Sequence, residues 1–174
     1  MKFILYLALG ISLFKSEQAW SQSKDDYLTP ETIIDAAFDV LSGTPEEKRD
    51  WDRFRSLFVP SAQFIVAPKD KDTGDNKLIV RTIEEVISSQ GKWLESNPLH
   101  EYRIHSITEN YRHLAHVLCT YESRKNDLEL YGRGISSFQL MHDGKRWWIV
   151  NWFWLGESEN ERIPEIYLPK KRNH

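Results

Sequence analysis

Cysteine is almost absent from this chain. Its 174 residues include a single cysteine, Cys119, so no disulfide can form within the chain. An apolar core must therefore hold the fold together, and a chain with 40% apolar and 13% aromatic residues is long enough to bury the core of one domain. Cys119 lies in an alternating apolar run, where burial as a small hydrophobe is more typical than a reactive thiol.

An excess of positive charge is also lacking. The formal net charge is −3 and the isoelectric point is near 6.1, which gives no basic surface of the kind that binds nucleic acid. The only concentrated positive charge is Lys170-Lys171-Arg172, a short run that is typical of a solvated chain end. We therefore expect no nucleic-acid partner.

Motifs that would identify a reaction, a metal or a cofactor are missing. The sequence has no Gly-x-Ser-x-Gly, no glycine-rich phosphate loop and no cysteine pair. His113 and His116 are three residues apart, so on a regular strand they project from opposite faces. Because no histidine or cysteine spacing resembles a zinc site, we expect neither a metal nor a cofactor.

Apolar runs long enough to span a membrane are absent as well. Residues 3–14 are apolar, follow Met1-Lys2, and lead through a polar stretch to Ala19-Trp20-Ser21. This arrangement is typical of a secretory signal peptide over residues 1–21, and the run is shorter than the ~20 residues of a membrane span. We expect cleavage near Ser21, a flexible mature N-terminus over residues 22–28, export to the periplasm or medium, and no permanent membrane anchor.

The first half of the mature chain has helical periodicity. Thr29 and Pro30 suit the start of a helix, whose apolar face is Ile33, Ile34, Ala37, Phe38 and Leu41. By the same logic a second helix begins at Thr44-Pro45 and presents Trp51, Phe54, Leu57 and Phe58, with Pro60 beyond its end. A strand over residues 62–67 and a short strand over 78–80 follow. Thr82 then caps a third helix with Ile83, Val86, Ile87, Trp93 and Leu94 inward.

From Leu99 onward the period is two, which predicts strands. Four long strands are predicted over residues 100–109, 114–124, 131–141 and 146–155. Long sequential strands with short links form an antiparallel meander, so the whole pattern predicts an α+β domain. A strongly twisted sheet of about six strands can wrap three helices into a cone-shaped α+β barrel that leaves a cavity between helices and sheet.

Three segments carry a family resemblance: residues 49–58, residues 114–124, and the run from Gly132 to Trp154. Together with the order of elements they resemble the nuclear transport factor 2-like (SnoaL-like) superfamily, in particular exported bacterial members without an assigned activity. The resemblance covers residues 29–155 and leaves residues 156–174 as a C-terminal tail that packs on the domain or extends from it. It implies the cone-shaped fold, in a superfamily of isomerases, dehydratases, cyclases, ligand binders and interaction modules, so function has to be argued from the site.

The cone's cavity is the default site, and relatives in that superfamily use Asp, His or Tyr there. Tyr121 shares its strand face with Ala115, Val117 and Cys119, so it could donate a hydroxyl into the cavity. The alternative is a core tyrosine bonded to backbone. Trp51 is a candidate for the cavity roof, although its helical spacing alone would explain it as core.

Two histidines are weaker candidates. His116 projects from the opposite face of the strand to Tyr121, together with Leu118, Thr120 and Glu122. This polar face is more typical of contact with solvent or a second subunit than of a pocket. His105 could face His116 across the hairpin if Asn110-Tyr111 is the turn, but a slip of one residue removes that pairing.

The register of the last hairpin determines whether two polar residues, Asn151 and Ser136, lie opposite each other. Asp143-Gly144 between alternating runs is typical of a two-residue turn, which places Asn151 opposite Ser136 and Arg133 opposite Trp154. The face that this register turns inward is Trp147, Ile149, Asn151 and Phe153. Asn151 and Ser136 would then form a polar spot in an apolar wall, either as part of a small-molecule site or as a satisfied structural pair.

The same register turns Trp148, Trp152 and Trp154 outward, where they would be covered by a second subunit or by the C-terminal tail. A three-residue turn would instead place Val150 and Trp152 on the cavity side. The sequence leaves both registers open.

Two main functions are consistent with these residues. The first is an exported domain whose aromatic-lined cavity binds a small apolar or amphipathic molecule. The second is an isomerase or dehydratase (a lyase) that uses Tyr121 with a His or Asn in the cavity, although the predicted inward set contains no certain base. A third interpretation is a dimeric interaction module that pairs through the outer face of the sheet.

Overall fold

A computed structural model describes residues 24–126 and 129–170 of the chain. Over these residues there are three α-helices, α1 (Pro30–Leu41), α2 (Trp51–Ser56) and α3 (Ile83–Leu94). None of the helices in this part of the chain is long and apolar enough to cross a membrane. The predicted signal peptide over residues 1–21 and its cleavage near Ser21 lie outside the described residues.

Helix α1 begins where the sequence predicts. The Thr29 hydroxyl accepts a hydrogen bond from the Thr32 amide at 3.1 Å, and the Thr32 hydroxyl accepts one from the Thr29 amide, so the two residues cap each other. Pro30 occupies the first turn, where its missing N–H costs nothing. The helix buries a face that includes Ile33, Ile34 and Phe38, and this face forms one wall of the core.

Helix α2 is shorter than predicted because its cap is Asp50 and not Thr44. The Asp50 carboxylate accepts from the Arg53 amide at 2.9 Å, and the helix begins at Trp51. The preceding stretch is instead organised around Arg49, whose guanidinium donates to the carbonyls of Leu41 and Thr44, both at 3.0 Å. Those carbonyls are therefore satisfied without a helix.

One mixed sheet packs against these helices. Its strands are β1 (Phe58–Val66), β2 (Ile79–Arg81), β3 (His100–Tyr111), β4 (Leu114–Arg124), β5 (Leu130–His142) and β6 (Trp147–Gly156). Their spatial order is β2-β1-β6-β5-β4-β3. Only the β1–β6 pair is parallel, and the other four pairs in this sheet are antiparallel. Phe58, predicted as the end of a helix, starts β1, which also contains Pro60.

The inner face of the sheet and the helices share a single apolar core. Its fully buried members from the sheet include Phe64, Val117, Phe138 and Ile149, and α1 contributes Phe38. The predicted α+β architecture, with about six mostly antiparallel strands curved around three helices, is confirmed.

The last hairpin differs from the predicted register in two places. Residues 143–146 form the connection, closed by a 3.1 Å hydrogen bond from the Asp143 amide to the Arg146 carbonyl, so Asp143-Gly144 is not a two-residue turn. A bulge then falls in β6, because Leu140 pairs with Ile149 while Gln139 pairs with Asn151. The extra residue reverses which side chains point inward along the rest of the strand.

The bulge makes the predicted placement of Asn151 wrong. Asn151 lies opposite Gln139 on the outer face, and Ser136 lies opposite Trp154 on the inner face. Trp152, placed outside by the two-residue turn, is buried in the core. Arg133 does not face Trp154 as predicted, because Trp154 lies opposite Ser136, and Arg133 instead forms an ion pair with Glu157 at 2.9 Å.

The residues on either side of the domain are held against it. Residues 24–27, in the stretch expected to be flexible, form a 3-10 helix, and Arg53 binds both carboxylate oxygens of Asp26 at 2.8 and 3.1 Å. At the other end, the buried Thr120 hydroxyl donates to the Tyr167 carbonyl at 2.5 Å. Thr120 belongs to the outer face, so the C-terminal tail lies across that face.

Candidate functional site

Two concave regions lie on opposite sides of the sheet. The inner cavity, between the helices and the inner face, has a volume of about 400 Å³. It is lined by Phe38, Leu41, Phe64, Val86, Gln90, Trp93, Leu99, Glu101, Tyr121, Ser123, Tyr131, Ser136, Trp152 and Trp154. The outer groove, between the outer face and residues 156–164, has a volume of about 830 Å³.

Aromatic rings form the walls of the inner cavity. Phe38 from α1 lies 5.6 Å from Trp152 and 6.4 Å from Tyr121, measured between ring centroids. At the mouth, Trp93 of α3 lies 5.9 Å from Tyr131 of β5, and both are partly exposed. Alternating side chains of a strand share a face, which explains why so many rings of the sheet meet here.

Ser136 does lie in the cavity wall, but its partner is an indole and not Asn151. The Trp152 Nε1–H donates to the Ser136 hydroxyl oxygen at 3.0 Å, and both side chains are buried. This bond fixes the orientation of the Trp152 ring. The polar spot predicted for Ser136 and Asn151 is therefore absent, since Asn151 lies on the other face.

Glu101 is the residue that sequence reasoning missed. It lies near the start of β3, opposite Ser123 of β4, and its carboxylate accepts a hydrogen bond from the Ser123 hydroxyl at 2.8 Å. Its backbone amide donates to the Ser42 hydroxyl at 2.9 Å, which ties this strand to the end of α1. A carboxyl therefore enters a cavity whose other lining residues are mostly apolar.

Desolvation raises the pKa of Glu101 to about 7, although the Ser123 hydrogen bond opposes the shift. Among the described residues, no Lys, Arg or His forms an ion pair with it. The nearest guanidinium on the same strand, Arg103, is held instead by both carboxylate oxygens of Asp35, at 2.7 and 2.5 Å. At neutral pH the cavity thus contains a carboxyl that can exchange a proton.

A second titratable group in the cavity is Tyr121, where parity predicts it. Its ring passes over Gly134, where an added Cβ would come within 2.4 Å of the phenol oxygen. The hydroxyl makes no hydrogen bond to any residue that the structure describes, so it is available to a ligand. Burial raises the pKa of Tyr121, and the negative charge of Glu101 adds to the shift, so the phenol stays protonated and can donate.

The remaining sequence candidates lie elsewhere. Trp51 packs on Phe54, 5.8 Å away between ring centroids, and against Gly91 of α3, and it does not line the inner cavity. His116 bonds through Nε2 to the Ser137 hydroxyl at 2.9 Å on the outer face. His105 pairs with Thr120 and not with His116, so the two histidines do not form a site together.

The outer groove is larger, but three of the four charged residues that line it, Lys69, Glu157 and Glu161, are paired within the chain. Lys69 bonds Glu161 at 3.0 Å, and Glu157 accepts from both Arg133 and the Ile163 amide. Over the described ranges, no group of three or more His, Cys, Asp or Glu side chains could hold a metal ion. The inner cavity, with its carboxyl and its free hydroxyl, is therefore the candidate functional site.

Comparison with known proteins gives the fold. No protein-family model matches the chain, and no curated protein matches it. Solved structures do match: a protein of unknown function with a cystatin-like fold from Nostoc punctiforme has a TM-score of 0.56 at 12% identity, over 76% of this chain and 96% of the other.

Two similar structures are described as NTF2-like proteins of unknown function. The one from Pseudomonas putida has a TM-score of 0.54 at 8% identity, over 77% of this chain and 89% of the other. The one from Silicibacter pomeroyi has a TM-score of 0.52 at 12% identity, over 73% and 92%. The described chain therefore has the NTF2-like, cystatin-like fold, in agreement with the resemblance of its sequence.

Proposed function

We propose that this protein binds a small amphipathic molecule in the inner cavity. The observation that carries the proposal is the composition of the cavity wall: aromatic rings on most sides, with one carboxyl and one hydroxyl that lacks a partner among the described residues. Small-molecule sites are largely apolar concavities with a few convergent polar groups. A volume of about 400 Å³ falls within the usual range of such sites, ~300–1,000 Å³.

Filling the cavity tests this proposal. Gln90 lines the mouth from α3 and is only half-buried, so Gln90→Trp should obstruct entry without disturbing the core. The matched control is Leu118→Trp, which places the same ring in the outer groove. The readout is the fluorescence of N-phenyl-1-naphthylamine, a neutral amphipathic dye, titrated with protein.

We expect the dye to bind the wild-type protein and the Leu118→Trp variant alike, and to bind the Gln90→Trp variant at least about tenfold more weakly, since burial of a ring on this scale is worth 1–3 kcal/mol. Thermal unfolding of all three proteins checks that each is folded. Dye binding that is lost only in Leu118→Trp would place the ligand in the outer groove and contradict the proposal.

A second candidate function is proton transfer, in an isomerase or dehydratase. The observation that favours it is Glu101, whose pKa of about 7 suits a general base at neutral pH. Its carboxylate would remove a proton from a carbon next to a carbonyl group, and the Tyr121 hydroxyl would donate a hydrogen bond to the carbonyl oxygen as negative charge develops there. Glu101 thus takes the place of the His or Asn that the sequence suggested.

Deuterium exchange tests this candidate directly. Cyclic ketones incubated with the protein in D2O should lose their α-proton signals in NMR spectra faster than in buffer alone. Glu101→Gln should abolish the acceleration, whereas Glu109→Gln, at an exposed carboxyl of the same strand, should keep it. No acceleration by the wild-type protein over a panel of ketones would leave binding as the function.

Export and dimerisation belong to the same proposal. Export is supported by the apolar run over residues 3–14 that follows Met1-Lys2. A homodimer through the outer face has less surface to use than the sequence suggested, because the C-terminal tail occupies part of that face at Thr120. Gel filtration of the mature chain at micromolar concentration measures the oligomeric state, and elution as a monomer would contradict a homodimer at that concentration.

A further inference from the structure

The inner cavity is lined largely by aromatic rings. Seven of its fourteen lining residues are aromatic: Phe38, Phe64, Trp93, Tyr121, Tyr131, Trp152 and Trp154. The face of an aromatic ring carries partial negative charge and attracts cations. Lys125 already illustrates this at the mouth, where its Nζ lies 5.1 Å from the centroid of the Tyr131 ring.

The carboxyl of Glu101 adds a negative group without a positive partner. The charged and titratable side chains that line a concave region together with Glu101 are Tyr121 of β4, Tyr131 of β5, Asp35 and Asp39 of α1, and His100, Tyr102 and Arg103 of β3. The cations nearby are committed elsewhere: Arg103 binds Asp35, and Lys125 binds Glu129. Asp39 is in turn paired with Arg53. In the described part of the chain, the only hydrogen-bond partner of the Glu101 carboxylate is the Ser123 hydroxyl.

We propose that the ligand of the inner cavity is a monovalent organic cation, an ammonium group carried on an apolar body. This inference rests on the proposed binding function and adds the charge of the ligand. A cation would interact favourably with both the aromatic rings and the carboxylate, whereas a neutral ligand would leave the carboxyl without a counter-charge and keep it protonated. An anion would face both the carboxylate and the π-faces.

Binding of the cation should be coupled to release of a proton from Glu101. Near pH 7 the Glu101 carboxyl is partly protonated, because its pKa is about 7. A bound ammonium group stabilises the carboxylate and so lowers that pKa, which releases a proton to the solvent. Affinity for the cation should therefore rise with pH between about 5.5 and 8, while affinity for a neutral ligand of the same shape should not.

The experiment uses an isosteric pair, phenyltrimethylammonium and tert-butylbenzene, which differ in charge but hardly in shape. Each is titrated into the protein at pH 5.5, 7 and 8, with tryptophan fluorescence as the signal, since Trp93, Trp152 and Trp154 line the cavity. Calorimetry at pH 7 in two buffers of different ionisation enthalpy counts the protons released. Glu101→Gln and the control Glu109→Gln are titrated in the same way.

At pH 8 we expect the wild-type protein and Glu109→Gln to prefer the cation by about tenfold, the range of a desolvated cation–π and carboxylate contact. Glu101→Gln should lose the preference, its pH dependence and the proton release, yet still bind tert-butylbenzene. Equal binding of both probes by the wild-type protein, or a preference that survives in Glu101→Gln, would overturn the inference while leaving the binding function intact. If neither probe binds, the proposed function fails with it.

Discussion

The two faces of the sheet differ in how their polar groups are satisfied. On the outer face, Thr120 donates to the Tyr167 carbonyl, His116 bonds Ser137, and Arg133 pairs with Glu157. On the inner face, Glu101 has one hydroxyl donor, and the Tyr121 hydroxyl has no partner among the described residues. Polar groups that the chain satisfies by itself stabilise the fold, whereas polar groups left open in a cavity are suited to a ligand.

The difference in burial between the two faces should give the largest effect on stability. Phe138→Ala removes a fully buried ring from the inner face and should lower the free energy of unfolding by ~3–5 kcal/mol. Phe153→Ala removes the same atoms from a half-buried site on the outer face and should cost about 1–2 kcal/mol. Urea denaturation measures both values, and equal losses would contradict the assignment of the core to the inner face.

The close approach of Leu155 and Tyr121 to Gly134 should give the next largest effect on stability. Gly134→Ala forces a Cβ to within 2.3 Å of the Leu155 carbonyl oxygen and 2.4 Å of the Tyr121 hydroxyl. Either the β5–β6 pairing or the tyrosine must move, which we expect to cost ~1–3 kcal/mol and to weaken binding in the inner cavity. Gly132→Ala is the matched control, because nothing lies within 4 Å of its Cβ position. Two variants of equal stability would show that the approach is relaxed in solution.

The inner carboxyl should make stability depend on pH. The pKa of Glu101 rises from an ordinary value of 4.5 to about 7 on folding, so the native state holds the proton more tightly. Its contribution is complete below about pH 4.5 and is lost as the pH rises through about 7. Because Glu101 is partly and not fully buried, we expect the wild-type protein to lose about 1–2 kcal/mol relative to Glu101→Gln across that window.

Urea denaturation at several pH values measures this loss. Glu109→Gln removes an exposed carboxyl from the same strand and should follow the wild-type curve. A constant difference between wild type and Glu101→Gln from pH 4 to 8 would show that the carboxyl is solvated.

The outer face should give the smallest and most local effect. Thr120→Val removes the donor to the Tyr167 carbonyl, at a cost of about 1 kcal/mol, and should speed amide hydrogen exchange over residues 163–168. Thr108→Val, which removes a hydroxyl bonded to Glu31 on the inner side, should leave exchange of the tail unchanged. Equal exchange in all three proteins would mean that Ile163 and not Thr120 holds the tail.

The sequence predicts the fold better than the site, for physical reasons. Helix caps are local, so Thr29 and Thr82 identify helix starts correctly. The alternation of side chains within one strand is also local, and it places Tyr121 on the inner face. Pairing between strands depends on bulges, which are set by tertiary packing and leave little trace in composition.

That limitation explains how Glu101 was missed. Its position opposite Ser123 requires the shift in register between Arg103 and His105. The sequence offers no turn or glycine signal at that point, and a regular ladder would have paired Glu101 differently. The short helix α2 is a comparable case, since the helix begins at the Asp50 cap, and Arg49 binds the Leu41 and Thr44 carbonyls in the stretch where the sequence predicts its start.

The bulge in β6 has a consequence for how this chain is aligned and engineered. The alternation of side chains along β6 shifts by one residue at the bulge. Trp147 and Ile149 face inward before it, and Trp152 and Trp154 face inward after it. Deleting Val150 alone would remove the bulge and leave Trp152 and Trp154 facing inward, whereas a regular strand that kept Val150 would turn Asn151 and Phe153 inward in their place. The bulge at Val150, and not the length of β6, thus determines whether Trp152 and Trp154 line the inner cavity.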